Sequence, residues 1–193
     1  MRSPDEKKEE AIFEATIKLV NEIGFAAASV AKIAKQANVS PATIYTYYKN
    51  KEDLLVSSYI EIKTRKASAS MDGFDESSPL KESLRKVWDN SFQFIAENKD
   101  YFQYAEQFTN SPYHDLVDDS QSTAIFQPFV LALEAGAKQK IIREVDFDIL
   151  TAFALNPISI LSNVRASKDV KMTRNNITVA FEMAWNAIRQ NKN

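Results

Sequence analysis

Apolar residues recur along most of this chain at intervals of three and four, the period of helices with one buried face. Ile12, Ala15, Leu19 and Ile23 form one stripe, widened by Phe13, Ile17 and Val20, and predict a first helix over about residues 5–23. Gly24 follows as a left-handed terminator, with Phe25 placed to fold back onto the last turn. Val30, Ile33, Ala34 and Ala37 mark a second helix, and Ile44 and Tyr48 a third. Leu55, Tyr59 and Ile62 carry a fourth from an Asn50 cap to about Asp72-Gly73, where D-G-F-D-E-S-S is the clearest loop. A fifth opens at Ser78-Pro79 and sets Leu80, Leu84, Val87, Trp88, Phe92 and Ile95 on one side. A short sixth helix is expected over about 100–108 and a seventh over about 122–138, bent at Pro128. An eighth over about 146–167, kinked at Pro157, and a ninth over about 173–190 complete the pattern. Both of these last helices are apolar on more than one side, so each needs more than one neighbour.

The stretch S-V-A-K-I-A-K-Q-A-N-V-S-P-A-T-I-Y-T-Y-Y-K-N-K, residues 29–51, organises the rest. Asn38 tolerates the left-handed conformation that ends a helix. Ser40 caps the next helix, and Pro41 takes its first position, where a missing N–H does no harm. Ala34 is small enough for two helices to cross closely. Ala42, Thr43, Thr46 and Tyr47 remain on the outer face of the second helix of the pair, followed by Lys49 and Lys51. A capped helical pair with a short hydroxyl-rich outer face is the pattern of a helix-turn-helix, whose second helix enters the DNA major groove. The expected architecture is therefore all-α: a three-helix helix-turn-helix domain over 1–55 and a helical bundle over 56–193, about nine helices in all.

The segment V-A-K-I-A-K-Q-A-N-V-S-P-A-T-I-Y-T-Y-Y-K-N-K-E-D-L-L resembles the N-terminal DNA-binding domain of TetR-type (TetR/AcrR) transcriptional repressors, over roughly the first third of the chain. Three positions depart from the family pattern: Asn38 and Ala42 stand where Gly is usual or common, and Tyr48 where Phe is common. The resemblance implies a double-stranded DNA operator as partner. It places Thr43, Tyr47 and Lys51 at bases or phosphates and Tyr45 at a phosphate, although Tyr45 could equally be a buried anchor. Ser29 caps the second helix and can also touch a phosphate; Ser40, Ala42 and Thr46 complete the DNA-binding set. The resemblance further implies a homodimer through the last two helices and an effector pocket among helices 5 to 7.

Composition changes this picture little. The net charge of −2 does not by itself point to nucleic acid, and the balance of 11 basic to 9 acidic residues over 1–66, against 13 to 17 beyond, is a mild asymmetry. The absence of cysteine removes disulfides and thiolate metal sites. His114 is the only histidine, and three scattered glycines make no phosphate loop, so no catalytic residue, metal site or cofactor is expected. The opening M-R-S-P-D-E-K-K-E-E lacks the apolar core of a secretory signal, and the most apolar run, 149–164, is interrupted by Asn156, Pro157 and Asn163. A cytoplasmic protein without membrane contact is expected.

Trp88, Phe92, Phe102, Phe108, Tyr113, His114, Phe126 and Phe129 fall between helices 5 and 7 beside helix breaks. Any one of them could be ordinary core. Together they suggest a site for a small apolar or aromatic effector, with a polar handle at His114, Gln107 or Asn110. The leading expectation is a ligand-responsive repressor released from its operator by that effector. Two rivals are an activator or constitutive DNA-binding protein whose aromatic residues are only core, and a helical carrier or enzyme for a hydrophobic molecule with an incidental hairpin.

Overall fold

A computed structural model describes residues 4–118, 120–163 and 171–191. It contains α1 (Pro4–Ala27), α2 (Val30–Gln36), α3 (Pro41–Tyr47), α4 (Lys51–Ser70), α5 (Leu80–Glu97), α6 (Lys99–Thr109), α7 (Ser120–Lys138), α8 (Phe147–Ala154), α9 (Asn156–Ser162) and α10 (Arg174–Ile188), with a 3-10 turn at His114–Leu116. Among the described residues there is no strand, only an isolated bridge between Ile142 and Arg189. The single helix expected over 146–167 is two segments, α8 and α9, which meet at Leu155. Proline removes the N–H that would continue the ladder, so Pro157 opens α9 instead of kinking a continuous rod. Counted as one bent helix, that pair leaves nine helices among the described residues, in line with the pattern; the expected end at 167 lies outside them.

The helices divide between two compact units. The first comprises Met1–Arg65 and Asn98–Gln121; the second comprises Lys66–Glu97 and Ser122–Asn193. The boundary expected at residue 55 falls within α4, and α6 joins the first unit, because its aromatic face covers α1 and α4.

In the first unit, Ile12, Ile17, Val20, Ile33, Ala34, Ile44, Leu54 and Leu55 are each at most 1% exposed and form one core with Tyr104 and Phe108. Phe25 packs against α6. Its ring meets Tyr104 at 5.4 Å and Phe108 at 5.7 Å, edge to face, because α6 offers a larger aromatic surface than the last turn of α1. Gly24 breaks the helical conformation there, at φ 77° and ψ 164°. Ile23, expected within the buried stripe, is 42% exposed, since the stripe runs out at this break.

In the second unit Trp88 and Phe181, both fully buried, meet edge to face at 5.7 Å and join α5 to α10. Lys81 pairs with Glu182 at 2.8 Å across the same seam. Phe129 and Leu133 bring the buried side of α7 into this core, and Gly136 lets α7 approach α5: a Cβ there would collide with the Leu80 side chain. No helix among the described residues is long and apolar enough to cross a membrane.

Candidate nucleic-acid interface

The local chemistry expected between 29 and 51 is present. Ser29 Oγ accepts from the Lys32 N–H at 3.3 Å, and Ser40 Oγ from the Thr43 N–H at 3.1 Å, so a hydroxyl caps each helix of the pair. Asn38 adopts φ 56°, the left-handed turn residue between them. Ile33 and Ala34 of α2 pack with Ile44 of α3, all buried, which fixes the outward face of α3. On that face Ala42, Tyr45 and Thr46 are exposed and Thr43 and Tyr47 half-buried. Tyr45 is 55% exposed, which answers the open choice: it is no buried anchor.

Several of these side chains already hold partners. The Thr43 and Ser40 hydroxyls lie 2.9 Å apart, and the Thr46 hydroxyl donates to the Thr43 carbonyl at 2.6 Å. Each hydroxyl oxygen keeps accepting capacity, so donation to backbone does not remove it from recognition. Tyr47 donates its hydroxyl to Asp5 Oδ1 at 3.3 Å, tying the end of α3 to the start of α1. Lys51 is placed differently from a simple phosphate contact. Its ammonium donates to the Phe25 carbonyl at 2.7 Å and lies 3.4 Å from that of Ala26, so it closes the loop that ends α1. Asn50 caps α4 by accepting from the Asp53 N–H at 2.7 Å, as expected.

One cluster had no local signal. Arg65 of α4 reaches Glu10 of α1 at 2.6 Å and Glu61 at 2.7 Å, and donates to the Tyr101 hydroxyl of α6 at 3.1 Å. Tyr101 in turn donates to Glu14. Hydrogen bonding to Glu10 holds the guanidinium charged well beyond its ordinary range, and burial raises the Tyr101 phenol, with Glu14 adding to the shift. Glu61 lies one helical turn from Arg65, but the bonds from Arg65 to Glu10 and Tyr101 and from Tyr101 to Glu14 span 36 to 87 positions, beyond any pattern of spacing.

The aromatic set splits between the units. Phe102, Phe108, Tyr113 and His114 belong to the first; Trp88, Phe92, Phe126 and Phe129 belong to the second. Phe108 stacks on Tyr59 at 4.3 Å, and the exposed His114 ring stands 6.3 Å from Tyr59. Trp88 packs against Phe92 at 5.7 Å and Phe129 against Phe74 at 5.9 Å. Phe102 and Phe126 are half-buried. Of the expected handles, Gln107 donates to Asn21 at 3.0 Å and Asn110 to the Glu106 carbonyl at 3.0 Å. Another polar atom stands out: the indole Nε1 of fully buried Trp88 has no hydrogen-bond partner among the described residues.

Comparison with known proteins bears on this arrangement. Residues 12–57 match the family described as "Bacterial regulatory proteins, tetR family", and residues 79–189 match "Tetracyclin repressor-like, C-terminal domain". A TetR family transcription regulator from Marinobacter aquaeolei VT8 has a crystal structure similar to this chain, with TM-score 0.86 and 33% identity over 99% of this chain and 100% of that one. An uncharacterized HTH-type transcriptional regulator of Haemophilus influenzae is 27% identical over 98% of this chain and 100% of its own length. The fold is also that of the regulator FadR from Bacillus subtilis, solved in complex with stearoyl-CoA, at TM-score 0.70 and 22% identity over 91% of this chain and 95% of that one. With a capped helix-turn-helix at one end, a helical bundle after it and both matching family models, the chain belongs to the TetR family of DNA-binding transcriptional regulators.

Proposed function

We propose that this regulator is a repressor that a small apolar or aromatic effector releases from its operator. The observation that carries the reading is the outer face of α3: a doubly capped helix pair presents Thr43, Tyr45 and Thr46 outward on a rigid support. Hydroxyls at that position accept from or donate to base edges, while Ser29, Ser40, Tyr47 and the backbone at Ala42 set the approach to phosphates. Lys51 serves this surface by holding the loop at Phe25, and adds positive charge near it.

Two chains are required, because one short helix reads only a half-site. The dimer uses α8 to α10, whose Phe153, Ile160, Val179 and Met183 are each more than half exposed. The operator-binding dimer sets its two recognition helices about 34–36 Å apart, one turn of DNA. The effector stabilises a dimer with a different spacing, so its differential affinity shifts the population off DNA. The α4 helix, shared between the units, transmits the change. Trp88 supplies the polar handle: its buried N–H gains an acceptor when an oxygen-bearing apolar ligand enters. The stearoyl-CoA bound to the Bacillus subtilis protein makes long acyl groups the first class to try.

The test has two stages. Genomic fragments retained by the protein are sequenced, and the tightest is used in an anisotropy titration with and without an apolar ligand library that includes acyl thioesters. The expected result is saturable binding of one fragment and its release by at least one ligand. Failure of every ligand at millimolar concentration to bind or to release DNA overturns the effector reading and leaves a constitutive DNA-binding protein.

A further inference from the structure

The Tyr47 hydroxyl holds a partner from outside its own helix. It donates to Asp5 Oδ1, 42 positions away in the first turn of α1, at 3.3 Å. Thr46, beside it, donates to a carbonyl of α3 itself. The Tyr47 ring is half-buried and stands 6.4 Å from the buried Tyr48 ring, so the ring is held while the hydroxyl proton can still turn. Partial burial raises the phenol, and the charge of Asp5, the bond to it and the charge of Glu9 raise it further. The start of α1 thus sets a negative field over the end of the recognition helix.

A tyrosine hydroxyl has one proton to donate, whereas carboxylate and phosphate oxygens only accept. The proton given to Asp5 is therefore not available to a phosphate. A duplex that docks on α3 must take that proton from Asp5, and it leaves the freed carboxylate beside a polyanion. The contact is loose enough to yield. At 3.3 Å it is long for an O–H···O bond, and the Asp5 side chain is 80% exposed. Lys8 lies 3.7 Å from the same Asp5 oxygen and is itself half exposed, so this ion pair does little to fix the carboxylate.

We infer that Asp5 guards the recognition helix: its carboxylate holds the Tyr47 hydroxyl away from the phosphate backbone and so lowers the affinity of this regulator for duplex DNA of any sequence. The inference rests on the reading of Tyr47 as a phosphate contact. Phosphates carry no sequence information, so the cost falls alike on the operator and on random DNA. The guard shortens the stay of the protein on random DNA without changing which sequence it prefers.

The experiment is a double-mutant cycle on the full-length protein, read by fluorescence anisotropy with a labelled random-sequence duplex at low salt. Asp5→Ala should tighten binding by about three- to tenfold, the size of one polar contact released. That change also frees Lys8 and removes a negative charge, and both effects act whatever residue stands at position 47. The coupling therefore decides: in the Tyr47→Phe chain, Asp5→Ala should gain less than about twofold. Asp5 is exposed, so the melting temperature should stay near that of the parent. Unchanged or weaker binding by Asp5→Ala overturns the inference. A gain as large in Tyr47→Phe as in the parent also overturns it, and assigns the effect to bulk charge. Within the Asp5→Ala chain, Tyr47→Phe should weaken binding. If it does not, the phosphate contact of Tyr47 fails and the guard fails with it; a loss there together with an uncoupled gain removes the guard alone. Neither operator nor effector enters this test, so it stands apart from the release assay.

Discussion

Gly24 stands at φ 77° and ψ 164°, a region that residues with a side chain essentially never enter. A Cβ there would meet open space, so the whole cost of replacing it is backbone strain. Gly24→Ala should lower stability by about 1–3 kcal/mol, read as a shift in the urea midpoint at unchanged slope. Asn38 and Lys140 also take positive φ, at 56° and 58°. The first was legible because Asn between two helical stripes is a turn signal; nothing in the neighbourhood of Lys140 announced the second. On the recognition helix, two substitutions divide the work. Thr43→Ala should change which base is preferred while leaving affinity for random DNA nearly unaltered. Lys51→Ala should lower the melting temperature, because the carbonyls of Phe25 and Ala26 lose their donor, and should weaken all sequences alike. If Lys51 acts only through this loop, the slope of log affinity against log salt stays as it was; a slope shallower by about one unit identifies a direct phosphate contact instead.

Among the elements of the first unit, α1, α4 and α6 are joined by one side chain. Arg65 bonds to both oxygens of Glu10, at 2.6 and 3.0 Å, to Glu61 at 2.7 Å and to Tyr101 at 3.1 Å. The planar guanidinium serves three directions at once, which an ammonium cannot. Arg65→Met should therefore destabilise the protein by about 1–3 kcal/mol in chemical denaturation, and Arg65→Lys should recover only part of that. The half-buried setting keeps the figure below that of a fully buried ion pair. Sequence spacing identified α1 and α4 as helices but could not pair Arg65 with Glu10, 55 positions away. The split of α8 from α9 shows the same limit at shorter range. Pro157 announced a disturbance, whereas whether the chain bends or restarts depends on what Leu150, Ala154 and Ile158 pack against.

At the level of the whole molecule, the exposed apolar side chains of α8 to α10 need cover. Met183 is 69% exposed and Phe153 57%, on helices whose other faces are buried. If this surface closes the dimer, Met183→Glu places a charge in an apolar interface. The variant should sediment as a monomer at micromolar concentration and lose operator affinity, while its helical signal and melting curve stay near those of the parent. A dimer that persists in both Met183→Glu and Phe153→Glu assigns the contact to another face.

The reading of helices, caps and turn came from the chain alone because each depends on residues within four positions of one another. A Ser before a Pro, an Asn after an apolar stripe and a small Ala at a crossing act through local backbone geometry. The same locality made the outer face of α3 readable. Only the folded arrangement decided which aromatic residues are core and which line a cavity. It alone tied Lys51 to the Phe25 carbonyl and left the Trp88 nitrogen without a partner among the described residues. Each of those facts rests on side chains brought together from distant parts of the chain, and burial and hydrogen-bond satisfaction are properties of that assembly, not of any stretch of sequence.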